Sequence, residues 1–113
     1  MTDLINQKCV GHNQMTALTQ EEIKDYLSEL KEGWDYQRDS ASCDKIRKEF
    51  KFGDFVEAME FVNKVADIAE KEGHHPDIAI HYNKVEITLW SHFINGLSIN
   101  DFIIAAKIDQ ITK

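Results

Sequence analysis

Apolar residues recur at helical spacing in three stretches of the chain, with two pairs of alternating stretches between them. Thr19-Gln20-Glu21-Glu22 reads as a capping box, in which the Thr19 hydroxyl accepts from an amide one turn on and Glu22 reaches back. Ile23, Tyr26, Leu27 and Leu30 follow at helical spacing, and Gly33 can end that helix. Trp34-Asp35-Tyr36 begins a short strand, residues 39–42 read as a turn, and residues 45–52 form a second strand. In that second strand Ile46, Phe50 and Phe52 share a parity that Lys48 interrupts. Asp54 and Glu57 give a second capping signature ahead of the longest helix, whose apolar stripe is Phe55, Ala58, Met59, Val62, Val65, Ala66 and Ala69. Gly73 stops it and Pro76 forbids easy continuation. Residues 77–82 and 85–90 alternate as a second hairpin, reversing at Asn83-Lys84. Ser98 then caps a final helix with Asp101 at its third position, and Phe102, Ile103, Ala106 and Ile111 supply its apolar side.

The predicted order is therefore α-β-β-α-β-β-α. Two consecutive hairpins favour a four-stranded antiparallel sheet, and helices packed on one face of it give an α+β sandwich. Residues 1–17 show no periodicity and read as an irregular, poorly ordered arm, with His12 solvated within it; residues 18–113 form a single domain. The free edges of such a sheet are often paired across a dimer.

Composition narrows the function. The chain has 113 residues, enough for one domain with a modest core. Its formal net charge of -7 disfavours nonspecific binding to phosphate backbones, so no direct nucleic-acid partner is expected. Cys9 and Cys43 form no CxxC pair and no disulfide framework, and read as free thiols in a reducing compartment. No basic segment followed by an apolar run opens the chain, and no apolar run is long enough for a membrane span. A cytoplasmic protein with no membrane partner is expected.

Four of the five histidines fall within residues 74–92. His74 and His75 sit between the Gly73 helix stop and Pro76, where an extended backbone sends adjacent rings in different directions. His92 has the parity of Glu86, Thr88 and Trp90, opposite to Val85, Ile87 and Leu89, so it starts on the face away from the core. Imidazole gives and takes protons near neutral pH, and two such groups suit a reaction that delivers one proton to a leaving hydroxyl and removes another. Taken singly, each residue has a plainer reading. The His74-His75 pair and His81 are ordinary exposed positions, and His92 an ordinary hydrogen-bonded one. Asp101 is first a helix-start carboxylate, and Trp90 first a packing residue. The HExxH and CxxC spacings of zinc sites are absent, so no metal is expected. Nothing marks either cysteine as an activated nucleophile.

The stretch Glu72-Gly73-His74-His75-Pro76-Asp77, then Tyr82-Asn83-Lys84-Val85-Glu86-Ile87-Thr88-Leu89, then Ser91-His92, Gly96-Leu97-Ser98 and Asp101 resembles the pterin-4a-carbinolamine dehydratase family. The resemblance runs over residues 19–109 in element order, and its specific part is 72–101. It implies dehydration of 4a-hydroxytetrahydropterin to the quinonoid dihydropterin, a step that recycles the cofactor of aromatic amino acid hydroxylases. It implies no metal or organic cofactor, a pterin as the small-molecule partner, and a homodimer or homotetramer. It carries His74, His75 and His92 over as active-site residues. His74 and His92 would act on the 4a-hydroxyl, and His75 would bind and orient the ring. Pro76 and the segment Ser91, His92, Phe93 and Ile94 would shape the pocket, with Trp90 and Asp101 as candidates for support. Many relatives have an aromatic residue where this chain has Ile78, which packs but cannot stack; no role passes to His81. Two other functions fit the same resemblance: a non-enzymatic dimerisation cofactor of a transcription factor, and a pterin-binding protein of molybdopterin metabolism.

Overall fold

The computed structural model describes residues 3–39 and 43–112. Most of the turn expected at 39–42 lies outside the described residues, as does the side chain of His12. The elements are α1 (Gln20–Ser28), β1 (Asp35–Arg38), β2 (Asp44–Lys51), α2 (Phe55–Glu72), β3 (Asp77–His81), β4 (Lys84–Leu89) and α3 (Ile99–Ile111). All strand pairs are antiparallel, in the order β1-β2-β4-β3. The α+β order and the four-stranded antiparallel sheet read from the sequence are those of the molecule.

Register explains which face is buried. Ile46 pairs with Leu89, Lys48 with Ile87 and Phe50 with Val85, so these side chains share one side of the sheet. That side carries the core: Ile46, Val85, Ile87 and Leu89 are fully buried and Phe50 nearly so. Lys48 breaks the alternation because it has a partner inside. Its Nζ lies 2.8 Å from Asp109 Oδ1, while Asp109 Oδ2 accepts from Trp34 Nε1 at 2.9 Å and from the Lys31 amide at 3.1 Å. Burying the charge is tolerable because the ammonium is paired and the carboxylate takes three hydrogen bonds.

Four local expectations need correction. The first helix ends at Glu29, where the backbone turns back on Tyr26 and Leu27, four residues ahead of Gly33. Gly33 instead makes a later bend at φ 112°. The second hairpin reverses at Tyr82-Asn83, since His81 already pairs with Lys84 and Tyr82 takes φ 55°. The buried stripe of α2 is Ala58, Phe61, Val65 and Ala69, whereas Phe55 and Ala66 are exposed. α3 is not one-sided: Phe102, Ile103, Ile104, Ala105, Ala106 and Ile108 are all buried, and the helix opens to solvent towards its end, at the half-buried Lys107 and the exposed Gln110.

Among its described residues the N-terminal segment carries two short 3-10 turns, Leu4–Asn6 and His12–Gln14. It is nevertheless tied down. Leu4 enters the core, and the Cys9 amide donates to Glu72 Oε1 at 2.9 Å. Val10 and Asn100 exchange two hydrogen bonds, Val10 N to Asn100 Oδ1 at 2.8 Å and Asn100 Nδ2 to Val10 O at 2.9 Å.

Candidate active site

The two ends of the histidine segment are brought together by local chain chemistry. Gly73 closes α2 in the left-handed conformation, φ 69° and ψ 26°, with its amide on the Ala69 carbonyl at 2.8 Å. A glycine adopts this turn without strain. The turn carries His74 inward beneath the helix end, where it is buried, and leaves His75 exposed. His92 comes from the tight loop after β4. There Ser91 and Gly96 bridge across, with the Ser91 amide on the Gly96 carbonyl at 2.7 Å, and Asn95 takes φ 52°. The pinch pushes His92 and Phe93 outward, and both are exposed.

His74, His75 and His92 line one cleft of about 200 Å³, together with Trp90, Phe93, Gly73 and Met15. A hollow of about 570 Å³, lined by Phe50, Phe52 and Phe61 with alternating lysines and glutamates, holds no histidine and offers no comparable acid–base set. Of the other residues expected at the site, Pro76, Ser91, Ile94 and Asp101 do not line the cleft. Ser91 and Asp101 sit behind it. Ile78 pairs with Ile87 on the edge strand and stays away from the cleft, as does His81.

Asp101 is fully buried and holds His74. Its Oδ1 accepts from His74 Nε2 at 2.7 Å; its Oδ2 accepts from Ser91 Oγ at 2.7 Å and from the Ser98 amide at 3.0 Å. The proton directions follow. Ser91 spends its one hydroxyl proton on the carboxylate, so in the 2.8 Å contact between the two hydroxyls Ser98 donates to Ser91. The Ser98 oxygen is then free to accept the Asn100 amide at 3.2 Å. The carboxylate also sits in the first turn of α3, where the helix dipole favours negative charge. The result is a carboxylate acceptor that holds His74 in its Nε2–H form, with the lone pair of the neutral ring at Nδ1.

The other two imidazoles are held more loosely. His92 stacks on the Trp90 ring, with centroids 3.8 Å apart and planes at 26°. Trp90 is itself anchored by its Nε1–H on Asp77 Oδ2 at 3.1 Å and by the Lys45 ammonium 4.5 Å from its ring centroid. His75 Nε2 lies 2.5 Å from Glu70 Oε2 on the surface. Two contributions escaped the sequence reading. Gly73 was seen as a helix stop and not as a piece of wall. Met15 lies in a stretch without periodicity, and no signal pointed to it.

A family profile described as pterin 4 alpha carbinolamine dehydratase matches residues 16–111. The chain belongs to this family. A pterin-4-alpha-carbinolamine dehydratase family protein of Alkaliphilus metalliredigens, provisionally so named, is 43% identical over 97% of this chain and 96% of its own length. The mitochondrial pterin-4-alpha-carbinolamine dehydratase 2 of Arabidopsis thaliana is 40% identical over 98% of this chain and 60% of its own. Among solved structures, a transcriptional coactivator/pterin dehydratase from Brucella melitensis superposes with a TM-score of 0.77 at 36% identity, covering 87% of this chain and all of that one. A pterin dehydratase-like protein identified as a RuBisCO assembly factor in the alpha-carboxysome gives a TM-score of 0.59 at 26% identity, over 69% and 87% of the two chains. Among the described residues, no helix is long and apolar enough to cross a membrane.

Proposed function

We propose that this member of the dehydratase family expels water from a pterin 4a-carbinolamine in the cleft of His74, His75 and His92. The observation that carries the reading is the meeting of these three imidazoles around one hollow, one of them locked to a buried carboxylate. In the reaction the C4a–O bond breaks as the N5 lone pair forms the N5=C4a double bond. The departing hydroxyl takes a proton and leaves as water, and the pterin gives up one proton to reach the quinonoid dihydropterin. His74 is the base: its Nε2–H is committed to Asp101, so its lone pair is at Nδ1, and the imidazolium formed on accepting a proton rests against the carboxylate. His92, solvent-exposed and stacked on Trp90, delivers the proton to the hydroxyl. His75, which meets Glu70 at the surface, binds and orients the ring. Each proton transfer contributes about 10²–10⁴-fold.

A homodimer or homotetramer in the cytoplasm, serving an aromatic amino acid hydroxylase, completes the reading. Stopped-flow dehydration of freshly generated carbinolamine, with the spontaneous rate subtracted, tests it. His74→Ala and His92→Ala are each expected to lose at least about 10²-fold in kcat while remaining folded. Unchanged rates in both variants defeat the proposal, and a wild-type chain with no activity leaves a binding-only role as the better account.

A further inference from the structure

The family profile begins at residue 16, yet the cleft includes Met15. Met15 is only 8% exposed and is the one aliphatic side chain in a lining otherwise made, among the described residues, of rings and a glycine. The segment that delivers it is held by the same helix ends that carry His74 and its positioning carboxylate, Asp101. Glu72, which takes the Cys9 amide at 2.9 Å, precedes Gly73 and His74 in the chain. Asn100, which exchanges two hydrogen bonds with Val10, precedes Asp101. Leu4 anchors the far end in the core, and Lys107 Nζ donates to the Ile5 carbonyl at 2.9 Å.

We infer that the N-terminal arm completes the wall of the substrate site through Met15, a binding residue for the pterin ring. The inference rests on the dehydratase reading above. A thioether is polarisable and makes favourable contacts with aromatic rings, and its unbranched chain adapts to the ring it meets. It carries no proton, so it contributes to holding the bicyclic ring and not to the transfer steps. The arm's backbone hydrogen bonds fix the position from which Met15 reaches the cleft. Its affinity contribution corresponds to about 2- to 12-fold.

The test compares wild type, Met15→Ala, Met15→Leu and Asn100→Ala in the stopped-flow dehydration assay, with folding checked by circular dichroism. Binding of 7,8-dihydrobiopterin is followed in parallel by titration calorimetry. Met15→Ala is expected to raise KM and the dihydropterin Kd about 2- to 12-fold with kcat within about two-fold of wild type. Met15→Leu restores most of the loss, and Asn100→Ala, which removes both Val10 hydrogen bonds and loosens the arm near Met15, raises KM in the same direction. A folded Met15→Ala with wild-type KM and Kd overturns the inference while leaving the dehydratase reading intact. So does an effect on kcat alone. If wild type is inactive but binds dihydropterin, the Kd comparison alone decides on Met15. If wild type neither turns over nor binds a pterin, both readings fall.

Discussion

Replacing Asp101 by Asn tests the coupling between the buried carboxylate and the cleft. The wild-type group accepts three hydrogen bonds, from His74 Nε2, Ser91 Oγ and the Ser98 amide. An amide has one oxygen and one NH₂ group. The oxygen must stay toward Ser98, whose backbone N–H can only donate, so the NH₂ group faces His74. Nε2 must then become an acceptor, which moves the imidazole proton to Nδ1 and removes the lone pair offered to substrate. Mis-set tautomers in comparable carboxylate–histidine pairs cost up to about 10⁴ in rate, and a fall of about 10²–10⁴ in kcat is expected here. Stability also drops, because the three hydrogen bonds lose the charge of their acceptor, at about 1 kcal/mol each, with up to about 1 kcal/mol more from the helix dipole. Urea unfolding reads the second effect, and the stopped-flow assay below the melting transition reads the first. A folded Asp101→Asn with kcat within two-fold of wild type refutes the proposed role of His74 Nδ1.

Two further predictions concern groups away from the cleft. Lys48→Met keeps the aliphatic stem but strips Asp109 of its counter-charge; a destabilisation of about 3 kcal/mol by urea unfolding is expected, with no change in KM. Burial, then the Glu72 and Asp101 charges, push the Cys9 thiol up to about 12, and burial raises Cys43 as well. Both are therefore protonated at pH 8. Iodoacetamide, which reacts with the thiolate, should label Cys9 about 10³-fold more slowly in the native chain than in the urea-unfolded one, and Cys43 more slowly too, as read by mass spectrometry.

The legible parts of the sequence were those where one local rule decides. Capping at Thr19 and Ser98 is complete in the structure, each with both reciprocal hydrogen bonds. Alternation in β4 gave Val85, Ile87 and Leu89 their buried side, and the opposite parity of Trp90 and His92 kept both out of the core. Errors arose where tertiary contacts override local pattern. α3 carries Asn100, Asp101 and Asp109 in buried positions, which look like solvent-facing residues until their partners from the arm, β2 and the Ser91 loop are in place. Lys48 is the same case from the other side of one ion pair. Ser91 stands among the pocket residues only through the family resemblance, which places the backbone there. Its side chain turns to Asp101 behind the cleft, while its backbone closes the bridge to Gly96. Met15 could not be found at all. Its position depends on hydrogen bonds to Glu72 and Asn100, far along the chain, and not on any pattern of its own neighbours.

The most direct check on the three-histidine cleft is a titration of the ¹⁵N-labelled chain with 7,8-dihydrobiopterin, following the side-chain resonances of each imidazole. The ring nitrogens of His74, His75 and His92 should shift together along one saturation curve, while His81, exposed on β3, stays in place as the internal reference. Saturable binding that moves His81 or the Phe50–Phe61 hollow, and leaves the signals of His74 and His92 where they were, contradicts the account.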